Sequence, residues 1–138
     1  METAKLADLR EKLDIAQAIM DADHQRCNRL VAQMIELSSF PNMRFEIFGE
    51  LVQELKQYAL SHYAREESFM EICEFPGAAE HKREHAQQLN EISKISVAVM
   101  RNDQPAAHQL MLCIFATWQK HRDNQDIKLS DFICVLEH

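Results

Sequence analysis

Three prolines and two glycines are the only strong helix breakers in this 138-residue chain. The prolines stand at its breaks: Ser38-Ser39-Phe40-Pro41-Asn42, Phe75-Pro76-Gly77 and Asn102-Asp103-Gln104-Pro105. Proline has no N–H to donate and clashes with the preceding turn, so helices end at such places. Between the breaks Ala, Leu, Glu, Lys, Gln and Met are plentiful, and these side chains lose little freedom in a helix. Four helical stretches are expected, over roughly 17–38, 43–73, 78–100 and 105–122, with a tail to about 134.

The spacing of apolar residues gives each stretch an inward face. The second carries Phe45, Phe48, Leu51, Leu55, Tyr58, His62, Glu66 and Met70 on one stripe, which turns polar towards its end. His81, His85, Leu89 and Ile92 share a face of the third; Leu110, Ile114, Trp118 and His121 mark the fourth. Residues 1–16 also have helical spacing through Leu6, Leu9 and Leu13, as a fifth helix or an extension of the first. Stretches of about 20 residues, each about 30 Å long and joined by short turns, predict an all-α, up-down-up-down four-helix bundle. It is read as one domain over 1–135, with Leu136-Glu137-His138 set aside as a purification-tag remnant.

Composition excludes several classes of function. A net charge of −7 leaves no basic stripe to displace counterions from nucleic-acid phosphates. No apolar run approaches the ~18–20 residues that cross a bilayer, and Met1 to Arg10 lacks the apolar region of a signal peptide. Cys27, Cys73, Cys113 and Cys134 are widely spaced without a Cys-x-x-Cys motif, so buried reduced thiols and a cytoplasmic location are expected. There is no Ser-His-Asp or Cys-His arrangement and no glycine-rich phosphate loop, so an enzyme is not expected.

What the bundle frame does carry is a metal constellation: His24, His62 and Glu66, His81 and His85, His121 and Asp126. Two of these pairs are spaced i, i+4, which puts both side chains on one helix face. A lone histidine on a helix is usually a surface or satisfied core residue, and His108 and His138 are read that way. The strength lies in the combination, since every helix brings ligand-type residues that antiparallel packing can set at one level. Five imidazoles and two carboxylates over-supply a zinc site, which usually closes at four ligands, and match two adjacent iron ions. His121 and Asp126 are the awkward pair. Five residues of ideal helix turn about 500°, leaving their side chains about 140° apart. The helix is therefore expected to loosen there, by a π-type bulge or at its C-terminal end, if Asp126 is to reach the metals.

These residues also stand in recognisable local motifs: Asp21-Ala22-Asp23-His24, His62-Tyr63-Ala64-Arg65-Glu66-Glu67 followed by Met70, Phe75-Pro76, His81-Lys82-Arg83-Glu84-His85, and His121 through Asp126. In this order and spacing they resemble the bacterial branch of the hemerythrin family, from about Asp21 to Phe132. The resemblance implies two non-heme iron ions. His81, His85 and His121 would saturate one; His24 and His62 would hold the other and leave one position open. Glu66, Asp126 and a solvent-derived oxo or hydroxo group would bridge them, and O2 would bind reversibly at the open ion.

Physical reasoning favours carriage over oxidation. Di-iron oxidases present carboxylate-rich shells, and here only two carboxylates face five neutral imidazoles. The ligand pocket is expected to be lined by Cys27, Tyr63, Cys113 and Thr117, the last two counted eight and four residues before His121. Relative to the family pattern, Trp118 stands three residues before His121 instead of four, and Arg122 follows where an aliphatic residue is usual. Small residues in the pocket wall point to a roomier, wetter site that oxidises faster. That supports an alternative reading as an O2 or redox sensor joined to an output domain. NO and small anions are further ligands, and a di-iron peroxidase, NO reductase or iron-repair enzyme is a third reading.

Overall fold

The computed structural model describes residues 2–137. It contains α1 (Glu2–Ser39), α2 (Phe45–Ile72), α3 (Ala78–Met100), α4 (Gln104–His121), a π-helical turn (Arg122–Asp126) and α5 (Ile127–Glu137). The four long helices form a bundle in which α1 packs on α2 and α4, and α3 packs on the same two. Residues 2–16 extend the first helix: at 38 residues α1 is roughly 57 Å long at 1.5 Å per residue and overshoots its neighbours. The side chains of Leu6, Leu9, Cys134 and residues 136–138 lie outside the described residues, and with them the expectations placed there. No helix among the described residues is long and apolar enough to cross a membrane.

The helix ends explain why the bundle turns where it does. At the end of α2, Glu74 N–H bonds to Glu71 C=O and Phe75 N–H to Met70 C=O; at the end of α3, Asn102 and Asp103 do the same with Val99 and Ala98. Both are Schellman closures, with Glu74 (φ 54°) and Asn102 (φ 52°) in the left-handed position. Asp103 then caps α4, its Oδ1 accepting the Ala106 N–H at 3.1 Å, with Pro105 in the first turn where its missing N–H costs nothing. Gly77 is required between α2 and α3, since a Cβ there would stand 2.9 Å from the Phe75 ring.

Two apolar clusters fill the interior. The larger packs Leu30, Val31, Met34, Phe48, Leu55 and Ile92 with Ile95, Met111 and Ile114. The smaller joins the overshooting part of α1, through Leu13 and Met20, to Phe69, Met70 and Phe75 and to Leu129 and Ile133 of α5. Each fully buried side chain of this size contributes about 1.5–3 kcal/mol. The clusters leave a polar layer between them, because along α1, α2 and α3, and from α4 into α5, the histidines and carboxylates fall at the junction between residues that feed one cluster and those that feed the other.

Candidate metal centre

All seven side chains singled out in the sequence meet in that layer. Glu66, His81, His85 and His121 form one group with donor atoms within 4.8 Å of one another; His24, His62 and Glu66 form a second. The first group is buried, with Glu66 at 1%, His81 at 0% and His85 at 1% exposure. The two carboxylates span both groups atom by atom. Glu66 Oε1 faces Nε2 of His81 and of His85 (3.2 Å), while its Oε2 faces His62 Nε2 at 3.2 Å. Asp126 Oδ1 faces Nε2 of His121 (3.1 Å) and His81 (3.3 Å), while its Oδ2 faces His24 Nε2 at 3.2 Å.

Asp126 arrives there because α4 gives way to the π turn over Arg122–Asp126, the loosening that the five-residue gap requires. The wider turn uses up the surplus rotation and returns Asp126 to the face of His121.

The donor set fits metal ions. Nε2 of His24, His81, His85 and His121, together with Glu66 Oε1 and Asp126 Oδ1, are buried without a hydrogen-bond partner despite their proximity. Buried polar atoms are rarely left so, and atoms that lie close yet are not aligned on one another are aimed at a shared point. Two donors about 2.1 Å from one ion at right angles stand about 3 Å apart, the separation of most pairs in this set, His81 with Glu66 being closer.

Outer carboxylates orient the rings. His62 Nδ1–H donates to Asp23 Oδ2 at 3.1 Å, and Asp23 is itself held by Arg65 Nη2 (2.5 Å) and the Tyr58 hydroxyl (3.0 Å). His85 Nδ1 faces Glu67 at 3.5 Å and His121 Nδ1 faces Glu84 at 3.6 Å. The carboxylate bonded to His62 Nδ1 fixes the tautomer that leaves its Nε2 free for a metal, whereas Nδ1 of His85 and of His121 lies near its carboxylate without a hydrogen bond. Asp23, Arg65 and Tyr58 went unnoticed in the sequence as supporting groups; the signal was the charged pair Asp23 and Arg65, each beside a ligand-type residue on its own helix.

Charge is balanced locally. Burial raises Glu66 and Asp126, but the surrounding imidazoles outweigh it and hold both carboxyls below the usual range. Burial pushes His81 down, yet Asp126 and Glu66 pull it up to about 9. His85 is lowered by burial and by its neighbours His81 and His121 despite Glu66.

A cavity of about 30 Å³ adjoins the second group. It is lined by His24, His62 and, from the first group, His121, but by neither His81 nor His85, and it has room for about two waters or a molecule of two or three atoms. Cys27 and Tyr63 line it; burial pushes the Cys27 thiol up to about 12, so it is a neutral wall group. Cys113 and Thr117 do not. Cys113 is exposed, and Thr117 turns to Glu91 (3.3 Å) and the Cys113 carbonyl. Counting back in fours overshoots the helical period: eight residues leave Cys113 about 80° from His121, whereas seven bring Ile114 into line. Trp118 occupies the wall instead, with Gln88, Asn28 and Arg122, and the chamber is small where a roomy one was expected. Cys113 also departs from the expectation of buried thiols, which Cys27 and Cys73 meet. His108 is satisfied by Ser38 at 2.8 Å.

A four-helix bundle with a buried, carboxylate-linked histidine cluster defines a helical metal-binding domain. A family model, the hemerythrin HHE cation-binding domain, matches residues 16–126, and the chain belongs to the hemerythrin family. It is 30% identical over 76 residues to a bacteriohemerythrin of Stenotrophomonas maltophilia, covering 55% of this chain and 48% of that protein, so the match spans about half of that relative's length. It is 22% identical over 113 residues to a bacteriohemerythrin of Clostridium acetobutylicum, covering 80% of this chain and 88% of that one. No solved structure matches the chain.

Proposed function

We propose that this domain binds O2 reversibly at a pair of non-heme iron ions. His81, His85 and His121 would hold one ion, His24 and His62 the other, with Glu66 and Asp126 shared between them and an oxo or hydroxo group from solvent. The observation that carries this is the division of both carboxylates, one oxygen towards each histidine group, with the cavity beside the two-histidine group. Iron held there in the ferrous state would supply the electrons for reversible O2 binding.

The protein's own groups do the rest. His81 and His85 are buried away from the cavity, and only His121 of their group reaches its wall. Asp23 keeps His62 turned towards the cavity side, while Trp118, Ala59 and Tyr63 limit the chamber to small molecules. Only two anionic side chains face five neutral imidazoles, an environment that does not favour highly oxidised iron, so binding is favoured over oxidation of a substrate.

Anaerobic loading with Fe(II) followed by air is the test. A visible absorption band that grows with air and vanishes on degassing is expected. Iron that oxidises once without a reversible band would contradict the reading.

A sensing role is a second reading, favoured by one observation. Both helices that leave the site, α1 beyond His24 and α5 beyond Asp126, share the apolar cluster of Leu13, Met20, Leu129 and Ile133. A shift at either site residue would be felt in that cluster. Slowed or quickened amide exchange confined to α1 and α5 on ligand binding would support it; no change there would oppose it.

A further inference from the structure

Gln88 is 2% exposed in the middle of α3, one turn beyond His85, where an apolar side chain would be cheaper to bury. Its Oε1 accepts the Tyr63 hydroxyl, and the Tyr63 ring stacks on His85 with centroids 4.0 Å apart. Its Nε2 has no partner. Across the same cavity Trp118 Nε1, also buried, has none either. Both residues line the cavity beside His24 and His62. The amide is held this way round because the opposite orientation would leave both the Tyr63 hydroxyl proton and the amide oxygen without a partner. The wall of this chamber therefore carries unpartnered N–H donors, while its charged groups are of both signs: Arg122, tied to Asn28 at 2.6 Å, and the carboxylates of Asp23 and Asp126, which are engaged with the histidines and Arg65.

We propose that Gln88 and Trp118 are specificity-determining residues that donate hydrogen bonds to the metal-distal end of a ligand in the cavity. They favour small ligands with an accepting, negatively charged end, such as a triatomic anion, over neutral apolar molecules of the same size. A purely apolar chamber would make no such distinction, and a donor left unsatisfied costs folding free energy that a bound acceptor returns. Tyr63 acts as a positioning residue, because its hydroxyl holds the amide oxygen and leaves the nitrogen free.

The inference rests on the di-iron reading, and the test separates the two. The iron-loaded, oxidised protein is titrated with azide, and the infrared stretch of bound azide is recorded in H2O and D2O. Wild type should hold about two irons per chain and show an azide band that moves in D2O. Gln88→Met should keep both irons, bind azide at least about tenfold more weakly and lose much of the D2O effect. Trp118→Phe, which keeps an aromatic ring and removes the N–H, should weaken azide in the same direction. Metal-free Gln88→Met should melt lower only because the Tyr63 hydroxyl loses its acceptor, so the double variant Tyr63→Phe/Gln88→Met, which removes both ends of that bond, should regain the wild-type melting temperature; a fall that persists in the double variant would assign Gln88 a structural role and overturn the proposal. Unchanged azide affinity in both iron-loaded variants would overturn it as well. Wild-type protein that does not load two irons would instead refute the di-iron reading beneath it.

Discussion

The two histidine groups share Glu66 and Asp126 yet differ in almost every other respect. The group of His81, His85 and His121 is buried, with only His121 reaching the cavity wall, and its imidazoles come from α3 and the end of α4. The group of His24 and His62 has one imidazole fewer, from α1 and α2, and His24 keeps 22% side-chain exposure beside the cavity. The comparison teaches that access is set by helix pairing. Two imidazoles one turn apart on α3, closed over by a third, leave nothing to open. One imidazole from each of two helices leaves a gap as wide as a small molecule.

Removing a donor from the buried side should have the largest effect. His85→Ala is expected to lose most of the iron at both positions, because the shared Glu66 loses the partner that steadies it; metal analysis after desalting measures this. His24→Ala should do less. It is expected to retain about one iron and lose the reversible response to air, and two retained irons with a normal response would break the proposed division. Asp23→Asn leaves every donor in place but removes the charge that orients His62. A 10–100-fold loss of affinity confined to the second iron is expected in a competition titration with a chelator.

Acidity sharpens the comparison further. In the metal-free protein His81 is raised from 6.5 to about 9, so its protonated form offsets Glu66 and Asp126. A histidine raised on folding stabilises fully below its unfolded value, and that contribution is lost as pH climbs through the folded one. The metal-free melting temperature should therefore fall between about pH 6.5 and 9, while bound metal, standing in for the proton, should flatten the profile. The smallest effect is expected at Cys113, which is exposed on the outer face of α4: Cys113→Ser should alter neither iron content nor ligand affinity.

Much of this was legible in the sequence because the rules involved are local. Prolines in the breaks set the four helices, and i, i+4 spacing set the faces of His62, Glu66, His81 and His85. The mismatch of His121 and Asp126 even called for the π turn that the structure contains. The pocket wall was less legible. Cys113 and Thr117 were placed by multiples of four on a helix of period 3.6, and the error grows with distance from His121. Gln88 was hidden for another reason: a buried amide gains meaning only from its neighbours, and Tyr63 and Trp118 come from other helices. The same holds for Asp23, whose partners Tyr58, His62 and Arg65 are all on α2.

The central claim is that two metal positions exist, that they are unequal, and that only one can be reached. Mössbauer spectroscopy of protein loaded anaerobically with ⁵⁷Fe(II) addresses all three parts. Two ferrous signals of equal area are predicted, with a small ligand such as azide or O2 perturbing one more strongly than the other. A single signal at about one iron per chain, or two signals that respond identically to the ligand, would contradict the account.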